Sequence, residues 1–132
     1  MDICKIGEKE YSVIVLSITE TFNKLYSENT GRTMSAKARM HLDCLGTFYG
    51  HTVEIARKAG FEAEFDELYD LISLPDNDGI PVKMVHNQET IEYEAYISSG
   101  KRAVKRVDEN TNKVYWDKLS ITLTPMEAQK II

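Results

Sequence analysis

Between Glu10 and Phe22 the chain alternates, with Ile14, Leu16, Ile18 and Phe22 on one parity and Ser12, Val13, Val15, Ser17, Thr19 and Thr21 as β-branched or small polar neighbours. Successive side chains of a strand point to opposite faces, so this pattern predicts a half-buried β-strand. A short strand over Ile3 to Ile6 precedes it, because Gly7-Glu8-Lys9 can turn the chain back on itself. From Asn23 to Lys37 the periodicity stops, and Ser27-Glu28-Asn29-Thr30-Gly31 gathers turn formers over a stretch longer than most connections. Leu25, Tyr26 and Met34 are apolar groups in that expected loop. Either a neighbouring subunit buries them or the loop folds back and adds them to the chain's own core.

Ala38 to Ala56 reads as two extended segments. Ala38, Met40, Leu42 and Cys44 share one parity, Val53 and Ile55 the other, and Gly46 and Gly50 interrupt them, as a bulge or a tight hairpin would. Phe48 and Tyr49 sit at the change, where large rings can cover glycine backbone. Only one segment carries a helical period: Phe61, Phe65, Leu68, Tyr69 and Ile72 form a stripe, with Glu62, Glu64, Asp66, Glu67 and Asp70 on the wet side. These spacings predict a helix over about 62–74, its acids favoured by the dipole near its start and Pro75 ending it. Four alternating runs follow, Ile80–Val85, Ile91–Ile97, Arg102–Val107 and Lys113–Leu123, separated by turn-rich clusters. They read as an antiparallel meander.

The expectation is therefore one β-rich domain over 1–132, mainly β with one helix, of about seven or eight strands. At 132 residues and 42% hydrophobic content, it is long enough to fold without metal or disulfide. Twenty-one acids against 16 bases give a net charge of -5, which disfavours nucleic acid as the main partner. The acidic start, with Asp2, and the short apolar run from Val13 to Ile18 predict neither a secretory signal nor a membrane span. Cys4 and Cys44 have no CxxC spacing and read as small buried hydrophobes.

No cofactor or metal is expected and no enzyme activity is assigned. Nucleophile-elbow, phosphate-loop, dinucleotide and zinc-protease motifs are all missing from the sequence. His41, Asp43, Cys44 and His51 are the one ligand-like cluster, but a strand sends Cys44 to the face opposite His41 and Asp43. Asp76-Asn77-Asp78-Gly79 is a turn rather than a calcium loop, since Leu74 stands where an acid is required. The helix acids read as a solvated face, and Trp116 as core or a hairpin lid. Lys101, Arg102, Lys105 and Arg106 form the densest basic run, suited to guarding an edge strand or to meeting the acidic helix of a neighbouring copy.

Gly31-Arg32-Thr33-Met34, Leu45-Gly46-Thr47-Phe48-Tyr49, Asp66-Glu67-Leu68-Tyr69-Asp70-Leu71-Ile72-Ser73 and Trp116 followed by Leu119-Ser120-Ile121 occur in that order. Together they resemble a family of small tail-associated virion proteins encoded by tailed phages and prophages of Gram-positive bacteria, over about Tyr11 to Pro125. Ser35-Ala36 departs from the Asp-Gly associated with that family at this place. The resemblance implies an antiparallel β-sandwich or barrel similar to the tail-tube and tail-terminator group, two packed sheets flanked by one helix. It also implies a structural role in the virion tail after synthesis in the host cytoplasm. The partners would be other tail proteins and copies in a homo-oligomeric ring, with no membrane involved. The interface would then use Leu25, Tyr26, Arg32 and Met34, Arg32 reaching a carboxylate across it, and Lys101, Arg102, Lys105 and Arg106. A phage-encoded inhibitor of a host protein is the alternative that small size and acidity also suit.

Overall fold

The computed structural model describes residues 4–28, 30–34, 36–75 and 78–131. Ile3 of the first expected strand, Asn29 and Ser35 of the expected loop, and Asp76-Asn77 of the expected turn lie outside the described residues. The chain opens with β1 (Cys4–Ile6) and β2 (Val13–Tyr26). A small ladder of β3 (Gly31–Arg32) with β4 (Met40–His41) leads into β5 (Cys44–Arg57). Then come α1 (Glu62–Ser73), β6 (Ile80–His86), β7 (Glu89–Tyr96), β8 (Gly100–Asp108), β9 (Lys113–Pro125) and β10 (Lys130–Ile131).

The protein is mainly antiparallel β with a single helix. Eight strands form one sheet, with β1, β6, β7, β9, β5 and β10 in that order, β2 on the other edge of β5 and β8 on β9. Because β9 pairs with β7 at one end and with β5 and β8 along the rest, the sheet curls into a half-barrel. The helix fills the concave side. Phe65, Leu68 and Ile72 meet Val53 and Ile55 of β5, Leu119, Ile121 and Leu123 of β9, and Val82 and Met84 of β6 in one buried cluster. The helical stripe was legible, although Phe61 lies exposed at the cap.

Several expectations are corrected. β1 pairs with β6 rather than folding onto β2, and Gly7, at φ +78°, makes the turn. Its positive φ favours glycine, and a Cβ there would lie 2.9 Å from Leu71 Cδ2, so the Leu71 side chain would have to shift. β2 runs on to Tyr26, so Asn23 to Tyr26 are strand and not loop. Its inward parity is Val13 and Val15, while Ile14 and Leu16 face out. An extra residue at Leu16 then shifts the register, so that Ile18 points to the core.

β5 is one strand through Gly46 and Gly50, and its bulge falls at Leu45. The last four long strands form two hairpins, β6–β7 and β8–β9, rather than one meander, because β7 lies beside β9 and not β8. Asn87, at φ +54°, turns the first of these hairpins.

Candidate functional site

β2 and β5 pair from Val13 opposite Arg57 to Tyr26 opposite Cys44, but the core ends part-way along them. Val53 and Ile55 are fully buried, whereas every residue of β2 from Thr19 to Tyr26 is exposed. The far half of the hairpin is thus an arm projecting past the layer that covers its base. Phe22 (63% exposed), Leu25 and Tyr26 lie along it, and Leu45 joins them from β5. No other strand pairs with the outer edge of β2 among the described residues. A long unpaired edge with apolar groups on both faces is a surface that native proteins otherwise blunt or cover.

The base of the arm is fixed by a polar cluster on its inner face. Glu20 stands opposite His51 in the register, and its Oε2 accepts from His86 Nδ1 at 2.7 Å and lies 3.2 Å from His51 Nε2. His51 is wholly buried, with Nε2 2.9 Å from Val85 O and Nδ1 2.8 Å from the Tyr93 hydroxyl. A carbonyl only accepts, so Nε2 donates to Val85 O, and Nδ1 meets the Tyr93 hydroxyl. Burial holds the Tyr93 phenol far above its ordinary range, which keeps it a donor. Tyr49 then packs on His86 with ring centroids 4.6 Å apart. The side-chain amide of Gln129 bonds both Tyr49 N and Tyr49 O at 3.0 Å, continuing the line of β10. The arm therefore leaves the core from a rigid root.

At the tip the chain is held by its own short-range bonds. Asp43 accepts from the Ser27 hydroxyl, Asp43 N donates to Thr30 Oγ1 at 3.0 Å, and Arg32 Nη1 donates to Ala38 O at 3.3 Å. Met34 is fully exposed, as are large parts of Met40 and Leu42. Leu25, Tyr26 and Met34 thus stay outside the core, so the alternative in which the loop folds back on its own core does not occur.

The basic run goes elsewhere. β5 and β9 separate β8 from β2, so Lys101, Arg102, Lys105 and Arg106 do not join Leu25, Tyr26, Arg32 and Met34. Arg102 turns inward: its guanidinium lies 3.8 Å from the Tyr69 ring centre and 3.9 Å from Trp116, and Nη1 pairs with Asp66 at 2.9 Å. Its Nε is buried without a hydrogen-bond partner. Arg102 thus meets the helix of its own chain, and Trp116 closes the stack while packing, half-buried, against the core. Arg106 lies over Tyr115, 4.3 Å from its ring centre.

The helix acids are likewise not simply solvated. Besides Asp66, Glu67 pairs with Lys9 at 3.0 Å and Glu62 with Arg57 at 3.5 Å. The bond to Glu67 raises the Lys9 ammonium. A backbone N–H at the helix start, aided by Lys113 and Arg57, lowers the Glu62 carboxyl.

The ligand-like cluster does not converge: His41 is exposed on β4, while His51 is enclosed by Tyr93 and Val85. No group of three or more His, Cys, Asp or Glu suited to a metal occurs among the described residues. No described helix is long and apolar enough to cross a membrane. Sequence reasoning missed the cluster of Glu20, His51, His86 and Tyr93. Its one signal was Glu20 standing on the same parity as Ile18 and Phe22.

No family model matches the chain, and no curated protein matches it.

Proposed function

We propose that this chain is a structural component of a phage virion tail, acting by assembly with copies of itself and with other tail proteins rather than by catalysis. The observation that carries this reading is the β2–β5 arm, whose β2 residues Thr19 to Tyr26 are all exposed while Val53 and Ile55, on β5 at the foot of the same hairpin, are buried. Backbone donors and acceptors along the β2 edge supply affinity, and Phe22, Leu25 and Tyr26 supply the apolar area a neighbour would cover. The resemblance of the sequence to tail-associated proteins, and a sandwich or barrel of the tail-tube and tail-terminator group, belong to this proposal. The half-barrel with one helix is compatible with them.

Light scattering and negative-stain imaging of purified protein over a concentration range provide the test. Rings or tubes should form with the intact chain. They should be lost when residues 27–43 are deleted and Tyr26 is joined to Cys44 by a two-residue turn. A chain that stays monomeric and captures one host protein would instead be an inhibitor.

A further inference from the structure

β1 and β2 are both edge strands of the curled sheet, and between them at the foot of β2 lies a crevice of about 140 Å³. Cys4, Ile6, Tyr11, Val13, Val15 and Leu68 line its apolar wall. Burial raises the Cys4 thiol to about 11, in keeping with an apolar surround. A cavity of about 150 Å³ holds a benzene-sized group, so this crevice takes one large apolar side chain. Its charged lining is Lys5, Lys9 and Glu10; Lys9 is held by Glu67, Lys83 stands opposite Lys5, and Glu8 and Glu64, the latter accepting from Ser12 N, lie nearby, so four carboxylates surround three ammonium groups.

The opposite end of the hairpin has the complementary character. Met34 is fully exposed at the tip, with Arg32, Lys37 and Arg39 exposed beside it. None of these three cations is in an ion pair among the described residues. The 14 residues of β2 hold the two ends roughly 45 Å apart at ~3.4 Å per residue. An apolar knob and an apolar hole at opposite ends of one rigid hairpin cannot meet within a molecule. Between molecules they make a head-to-tail contact that repeats.

We propose that Met34 of one copy seats in the Cys4–Val13 crevice of the next, with Arg32, Lys37 and Arg39 facing Glu8, Glu10 and Glu64. This rests on the assembly reading above and names the contact through which copies join. Methionine suits the role, since its unbranched thioether adapts to an irregular hole.

The crevice carries its own reporter, Cys4. In a Cys44→Ser background, Met34→Cys protein is oxidised with copper phenanthroline at a concentration where light scattering shows assembly. The expected result is a ladder of covalent multimers that disappears on adding Cys4→Ser. Separately, Met34→Asp in the otherwise native chain should raise the concentration needed for assembly about tenfold or more, one buried anchor being worth at least ~1.4 kcal/mol, with no change in melting temperature. Assembly without a ladder, together with an unaltered assembly concentration for Met34→Asp, overturns this contact and leaves the assembly reading standing. A chain that never self-associates overturns both.

Discussion

The two halves of the β2–β5 hairpin share one hydrogen-bonded ladder but differ in cover: at the foot one face is buried while Ile14 and Leu16 face out, and on the arm every β2 residue is exposed. At the foot, Val53 and Ile55 lie under Phe65 and Leu68 of the helix and beside Leu119 and Ile121 of β9. Along the arm, Phe22, Leu25 and Leu45 have comparable apolar bulk and stay about half exposed or more. Strand propensity is therefore satisfied in both halves, and only cover differs. A two-stranded hairpin in water is marginal unless something packs on it. The arm is held by its root at Glu20, His51 and Tyr93 and, along β5, by the two-residue strand β10 opposite Gly46 and Thr47, and its exposed apolar groups have no role in the core. The difference separates residues that stabilise the fold from residues available to a partner.

Substitutions should divide along that line. Phe65→Ala, in the covered half, should lower the free energy of unfolding by about 3–5 kcal/mol through lost burial and the cavity left behind. Urea denaturation with matched slopes measures this. His51→Ala, at the boundary, strips partners from the Tyr93 hydroxyl and Val85 O, and should cost about 2–4 kcal/mol at one to two buried unsatisfied groups. A smaller loss should appear in alkali. Burial raises the Cys4 thiol from the ordinary 9.0 to about 11, so the unfolded chain releases its proton first. The stability this group contributes is intact below pH 9 and is lost as pH rises from 9 through about 11, at up to ~1.4 kcal/mol per pH unit. Tyr93, also raised, extends the loss above pH 10. Denaturation midpoints of Cys4→Ser should be flatter between pH 9 and 11 than those of the native chain. Smallest of all, Phe22→Ser on the arm should change stability by no more than about 0.5 kcal/mol, while sharply reducing assembly seen by light scattering. A stability loss at Phe22 as large as that at Phe65 would erase the distinction between the halves.

Much of this was legible in the sequence because local periodicity sets local structure. The stripe of Phe65, Leu68 and Ile72 gave the helix, and Pro75 gave its end within a residue or so of Ser73. The strand at Glu10 to Phe22 was found, but its inward face was misjudged because one bulged residue, Leu16, moves every later side chain to the other face. From Asn23 to Tyr26 the sequence predicts a loop where the chain is strand, since a strand exposed on both faces has no alternation to detect. Pairings between distant segments, β1 with β6 and β7 with β9, leave no local trace. The same limit hid the ion pair of Arg102 with Asp66 and the cluster of Glu20, His51 and His86, whose members come from separate strands.

Amide hydrogen exchange, compared between dilute monomer and concentrated protein, bears most directly on the claim that the arm is an assembly surface. The outward amides of residues 17–26, unpaired in the monomer, should become strongly protected in concentrated protein, while those of residues 53–55 stay equally slow in both. Unchanged exchange along 17–26 in protein that has demonstrably assembled would contradict the account.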